Sequence, residues 1–176
     1  MSDERFEIAP EVKAEIDLWV AKYPEGCHQS ALIAALLLVQ QQNGGWLSNS
    51  AIQATANYLN LPEITAFEAA TFYDLYHLEP IGKHKISVCT NLSCTLRGSD
   101  ELLACLRQRL GIGPDETTTD GRYTIREVEC LAACAGAPMC QVDDQAYHEN
   151  LTPEKLNALL DQLDANDAKE AHHASE

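Results

Sequence analysis

The sequence predicts an α+β protein in two parts: a small helical bundle over residues 1–80 and a compact α/β domain over 81–163. Three observations predict it. Up to about residue 80 apolar residues recur at helical spacing. From Gly82 short runs alternate polar and apolar residues, as strands do. After Leu163 the chain is rich in Ala, Asp and His with no apolar period, so 164–176 reads as a disordered tail.

In the first part, Val12, Ile16, Trp19, Val20 and Tyr23 define one helical stripe, and Pro10 suits a first turn. The stripe reads as core or as contact with a partner helix, and Pro24-Glu25-Gly26 stops it. A second helix is expected from about Gln29 to Gln42, apolar enough to be buried on most sides and ended by Asn43-Gly44-Gly45. Ser50 and Gln53 have the spacing of a capping box for a third helix, whose inner face would be Ile52, Ala56 and Leu59. Pro62 opens a fourth, with Ile64, Phe67 and Thr71 on one side. Short helices with short connections make a small bundle.

From Gly82 the expected order is β-α-β-β-(β)-α. Lys85 to Cys89 alternates. Leu96 to Leu110 is amphipathic, with Leu102, Leu103, Leu106 and Leu110 facing inward. Arg122 to Glu129 alternates again. Met139–Val142 and Ala146–His148 form a hairpin turning at Asp143-Asp144. Thr152 caps a last helix with Pro153 at its first position and Leu156, Leu159, Leu160 and Leu163 inside. Helices against a small sheet give a layered α/β domain.

Charge narrows the function classes. Lys+Arg total 12 against 27 Asp+Glu, a formal net charge of −15. Nucleic acid and anionic lipid are therefore not the expected partners. The strongest apolar run, Ala31 to Val39, is far short of the roughly 20 residues of a bilayer span. The start, Met-Ser-Asp-Glu-Arg-Phe-Glu, has neither the basic n-region nor the apolar h-region of a secretory signal, so a cytosolic location is expected. No glycine-rich phosphate loop is present, since Gly111-Ile112-Gly113-Pro114 lacks the required offsets.

The seven cysteines are the anomaly. Four form two tight pairs, Cys89/Cys94 spaced C-x4-C and Cys130/Cys134 spaced C-x3-C, each just after a predicted strand. Two such loops can bring four thiolates to one centre. Structural zinc favours C-x2-C in both halves, whereas C-x4-C recurs in 2Fe–2S ferredoxins. Thiol–disulfide chemistry of the thioredoxin kind uses a C-x2-C that is absent. The spacing favours 2Fe–2S, with a zinc-stabilised interaction module and disulfide chemistry as the alternatives. Leu92, Leu131, Ala132, Ala133, Ala135 and Ala137 would keep water from the sulfurs, while Arg97 and Arg126 would offset negative charge nearby. Cys27, Cys105 and Cys140 read as structural residues. His172 and His173 read as tail residues, and His28, His77, His84 and His148 have no acidic or cysteine partner at useful sequence spacing.

The stretch Cys89-Thr-Asn-Leu-Ser-Cys-Thr-Leu-Arg-Gly-Ser99, then Glu129-Cys-Leu-Ala-Ala-Cys134 and Ala137-Pro-Met139, resembles the thioredoxin-like 2Fe–2S ferredoxin family. Within it the chain is most similar to the E-type subunits of bacterial NADH–quinone oxidoreductase, complex I. Gly45-Trp46-Leu47, Ala70-Thr71-Phe72-Tyr73 and Leu151-Thr152-Pro153-Glu154 extend the likeness to about residues 10–163. The resemblance implies a thioredoxin-like α/β domain holding one 2Fe–2S cluster on Cys89, Cys94, Cys130 and Cys134. It implies an electron-transfer subunit of an NADH dehydrogenase, an enzyme only as part of its complex, with no complete active site or catalytic residue on this chain. It places FMN and the NADH site on a partner flavoprotein subunit beside other peripheral-arm subunits. Attachment to the cytoplasmic face of the bacterial inner membrane would then come through the complex, and a homodimer of the isolated chain stays open. The equivalent diaphorase subunit of an NAD-linked hydrogenase or formate dehydrogenase is the alternative within the family. The family often has glycine where Ala132 stands, and a positive φ there would cost alanine about 1 kcal/mol.

Overall fold

In the computed structural model the described residues are 6–173, with side chains described to residue 170. The first five residues of the acidic start, residues 174–176 of the expected tail and the side chains of His172 and His173 lie outside them. The chain divides into two compact units, residues 1–81 and 82–176.

The first unit is helical. Helix α1 spans Pro10–Val20, α2 Leu32–Gln42, α3 Asn49–Tyr58 and α4 Glu63–Phe72, and a short 3-10 turn, His28–Ala31, leads into α2. Their common core is built on Ile16, Leu36, Val39, Leu47 and Ile52, all essentially without solvent contact. Glutamines at the end of α2 supply the polar fastening. Gln42 accepts from the backbone N–H of Ala9 and donates to the carbonyl of Glu7. The buried amide of Gln40 donates to Leu75 O and accepts from His77 N, so an uncapped loop is satisfied from inside.

Three helical expectations change. Only Ile16 of the α1 stripe is buried; Trp19 and Tyr23 are about 38% and 37% exposed, and the Lys22 ammonium lies 3.3 Å from the Trp19 ring centroid. The cap of α3 is Ser48, whose hydroxyl accepts from Ala51 N at 3.1 Å, while Ser50 hydrogen-bonds the Ser48 hydroxyl. The inner face of α4 is Ala66 and Ala70, with Ile64 64% exposed. Small residues one turn apart let this helix lie close on its neighbours, so bulk is the wrong guide to its inner side.

The second unit holds a four-stranded mixed sheet in the order β2-β1-β3-β4, with β1 His84–Cys89, β2 Tyr123–Val128, β3 Cys140–Val142 and β4 Ala146–His148. β1 and β2 are parallel, in register His84↔Tyr123 to Cys89↔Val128. β3 is antiparallel to β1 and forms a hairpin with β4. Asp143 and Asp144 both take positive φ at its turn, the geometry that matches strand twist. Gly82 opens the unit for a steric reason: a Cβ there would stand 2.7 Å from the backbone of Tyr123.

The helix expected over Leu96 to Leu110 starts at Ser99 as α6, Ser99–Leu110; Leu96 instead ends a separate short helix, α5 Leu92–Leu96, and Gly98 at φ +103 divides the two. Leu102, Leu103 and Leu106 of α6 bury against Ile86, Val88 and Ile125 of the sheet, together with Leu156 and Leu160 of α7, Pro153–His173.

The expected disordered tail needs correction, because α7 runs ten residues past Leu163. No apolar period marks this stretch because ion pairs hold it. Asp164 accepts from Arg122 Nη2 and from the Tyr123 hydroxyl, both at 2.6 Å. Asp167 accepts from Lys83 Nζ at 2.6 Å, Arg122 Nη2 at 3.1 Å and His84 Nε2 at 3.1 Å. His84 therefore does have acidic partners, since its other ring nitrogen stands 2.9 Å from Asp143. Both lie dozens of residues away in sequence, where spacing carries no signal.

Candidate metal centre

The two cysteine pairs leave the sheet side by side. β1 ends at Cys89 and β2 at Val128, which is its register partner, so the parallel pairing delivers both loops to the same C-terminal end of the sheet. Hydrogen bonds then stitch the loops together. Thr90 N donates to Val128 O at 3.0 Å, and the Asn91 side-chain amide donates to Glu129 O at 2.9 Å. β3 closes the other side, where Cys89 N donates to Met139 O at 3.3 Å.

Each cysteine has a distinct setting. Cys89 is the last residue of β1, and Cys94 sits inside α5, whose N-cap is Asn91. Both are buried, 3% and 2% exposed, in a small apolar cluster with Ala137 and Met139, against which Leu131 and Ala133 pack. Cys130 and Cys134 are exposed on the second loop. The Cys130 sulfur accepts from the N–H of Ala132 at 3.3 Å, and Cys134 begins a 3-10 turn, Cys134–Gly136. Ala132 lies between them at φ +59, the left-handed conformation its side chain disfavours.

Burial pushes the Cys94 thiol up to about 11, and the adjoining Cys89 thiol and the charge of Cys134 push the same way. Cys94 thus lies within electrostatic reach of both Cys89 and Cys134, while the Cys130 sulfur is bound within its own loop. Among the described residues no three His, Cys, Asp or Glu side chains converge tightly enough to hold a single ion.

The remaining cysteines are elsewhere. Cys140 is buried in β3 and its thiol is pushed up to about 12 by that burial. Cys105 accepts from Asn157 Nδ2 at 3.3 Å, between α6 and α7. Cys27 is exposed. Arg126 stands 3.2 Å from Asp115. Arg97 follows α5, and its N–H donates to the carbonyl of Cys94 at 3.1 Å. Sequence reasoning missed the stitching by Thr90 and Asn91 and the wall made by Met139. Their signal was adjacency to the cysteine motifs and nothing stronger.

Residues 16–164 match the family described as thioredoxin-like 2Fe-2S ferredoxin. The chain belongs to this family. Among its relatives, the E-type subunit of the NADH-quinone oxidoreductase of Rickettsia bellii is 46% identical over 144 residues, covering 82% of this chain and 86% of that one. NADH dehydrogenase (ubiquinone) flavoprotein 2, mitochondrial, of Dictyostelium discoideum is 42% identical over 161 residues, covering 92% of this chain and 65% of that protein. A solved NAD+-reducing NiFe-hydrogenase in the air-oxidised state shares the fold, with a TM-score of 0.65 at 21% identity. That match covers 74% of this chain and only 23% of the hydrogenase chain. Among the described residues no helix is long and apolar enough to cross a membrane.

Proposed function

We propose that this member of the thioredoxin-like 2Fe–2S ferredoxin family is the E-type electron-transfer subunit of an NADH–quinone oxidoreductase, with Cys89, Cys94, Cys130 and Cys134 as the cluster ligands. The observation that carries it is the pairing of β1 with β2, which sends two cysteine-bearing loops from one end of the sheet and ties them by backbone bonds. The relatives' names supply the host complex.

The donor set fits a 2Fe–2S group. Two thiols on each loop match two thiolates per iron. Cys94 is buried beside Cys89, so ionisation of the Cys94 thiol is opposed in the absence of a compensating cation. A bound iron pair would supply that cation. When bound, the cluster supplies one-electron transfer, here to and from FMN on a partner flavoprotein subunit that also carries the NADH site.

The chain's own residues do the rest. Ala137, Met139, Leu131 and Ala133 exclude water from the buried sulfurs. The Ala132 N–H donates to the Cys130 sulfur at 3.3 Å and so orients it within its loop. Asn91 fixes the first loop to the second, so the two ligand pairs keep one spacing. Nothing in this arrangement supplies a base or nucleophile, and the NADH chemistry belongs to the complex. The chain would sit on the cytoplasmic side of the inner membrane through its neighbours in the peripheral arm.

The test is the visible and EPR spectrum of anaerobically purified protein before and after dithionite. A red-brown protein with a rhombic spin-half signal only when reduced is expected. A colourless protein with one zinc per chain would overturn the electron-transfer reading in favour of a zinc-stabilised module and leave the fold standing. Copurification with hydrogenase or formate dehydrogenase subunits, in place of quinone-reducing ones, would replace the host complex.

A further inference from the structure

Glu149 follows β4, and its side chain occupies a seat that only a glycine leaves open. A Cβ placed on Gly136 would collide with Glu149 Oε2 and lie 2.6 Å from Glu149 Cβ. The seat is fixed by backbone on both sides. Asn150 N donates to Gly136 O at 2.6 Å, and Leu151 N donates to Pro138 O at 3.0 Å. Gly136 is itself the last residue of the 3-10 turn that begins at Cys134, and its N–H donates to Ala133 O at 3.0 Å. The Glu149 carboxylate therefore rests against Gly136, two residues along the loop from Cys134. No hydrogen bond or ion pair of the described residues explains why an acidic group should rest there.

We propose that the charge of Glu149, held against Gly136, lowers the reduction potential of the centre on Cys89, Cys94, Cys130 and Cys134. This rests on the 2Fe–2S reading above. Reduction adds one electron, supplied by the external reductant, and makes or breaks no bond in the protein. It takes a tetrathiolate 2Fe–2S group from a charge of about −2 to about −3. A fixed negative charge nearby repels the reduced state more than the oxidised one. The side chain is exposed, so mobile ions screen its effect. That screening makes the role separable from a purely steric one.

The experiment is a redox titration of purified holoprotein, followed by EPR, for the parent chain, Glu149→Gln, Glu149→Asp and Glu170→Gln. Glu170 is the control: it pairs with Lys83 just before β1, at the opposite end of that strand from Cys89. Glu149→Gln is expected to raise the midpoint potential and leave the oxidised visible spectrum unchanged. Glu149→Asp and Glu170→Gln should stay near the parent value. The difference between parent and Glu149→Gln should shrink as salt rises toward about 1 M, where the Debye length falls to about 3 Å. A Glu149→Gln protein titrating at the parent potential would overturn the inference while leaving the cluster reading intact. So would a shift that ignores salt, or an equal one from Glu170→Gln. A parent protein with no reducible 2Fe–2S signal would overturn both.

Discussion

The carboxylate of Asp167 stands 2.6 Å from the ammonium of Lys83, joining the last helix to the residue that leads into the first strand. The same carboxylate takes Arg122 and His84. Its burial opposes ionisation, yet hydrogen bonds from Lys83, Arg122 and His84 outweigh that and hold it well below the usual carboxylate range. A depressed pKa in the folded state contributes stability above the unfolded value of about 3.9, and that stability fades as pH falls through the folded value. Asp167→Asn is therefore expected to lose about 1 kcal/mol at pH 7, with the gap to the parent closing under acid. Urea unfolding at neutral pH and near pH 3 checks it.

The same network sets the outcome of truncation. A chain ending before Asp164 loses the carboxylates that serve Arg122, Tyr123, Lys83 and His84. It is expected to unfold at lower urea and to show faster amide exchange at the start of β1 and β2. An unchanged midpoint would mean that the ion pairs contribute nothing net, as many surface pairs do.

Ala132 pays a backbone cost that glycine would not. Its φ of +59 lies in the left-handed region, where a Cβ crowds the following carbonyl. Ala132→Gly should gain stability by up to about 1 kcal/mol, less the extra entropy glycine recovers on unfolding. The N–H that donates to the Cys130 sulfur is kept, so the visible spectrum of the loaded protein should not change. Thermal unfolding of parent and variant gives the sign directly.

How far the sequence showed this architecture depends on the kind of force involved. Leu102, Leu106, Leu156 and Leu160 declared themselves through apolar period, because burial of branched side chains leaves that trace. The two cysteine pairs declared themselves through spacing. Asp164 and Asp167 did not, because a helix end held by ion pairs has no apolar stripe and its cations lie in other elements. The break at Gly98 was missed because the leucine pattern runs through it, although glycine at φ +103 separates α5 from α6. The small inner face of α4, Ala66 and Ala70, was hidden behind the larger but exposed Ile64. Glu149 carried no signal at all, since only the fold brings it onto Gly136.

Gly82 is a steric requirement. Its N–H donates to Thr124 Oγ1 at 2.6 Å, and a Cβ would come within 2.7 Å of Tyr123 backbone. Backbone cannot rotate away as a side chain can. Gly82→Ala should cost about 1–3 kcal/mol, the range for overpacking. Reduced unfolding free energy with secondary structure retained by circular dichroism is the expected result.

The cysteine variants separate ligands from core. Cys89→Ala and Cys130→Ala each remove one donor from a different loop, so both should abolish the native visible spectrum and its EPR signal. Cys105→Ala should leave both intact, because that sulfur packs between α6 and α7 and accepts from Asn157. Its cost should be in stability alone, about 1 kcal/mol for the lost hydrogen bond and methylene-sized volume. Cys140→Ala is the stricter control. Cys140 lies next to Met139 on the wall of the centre, and it pairs in register with Val88, the neighbour of Cys89. Burial pushes its thiol up to about 12, and its side chain belongs to the core cluster of Ile86, Val88 and Leu106, which reads as a filler of the sheet core. Its removal should lower stability by about 1–2 kcal/mol while the iron content per chain holds at the parent value. A bleached Cys140→Ala protein with normal circular dichroism would move the ligand set from Cys130 or Cys134 toward the sheet.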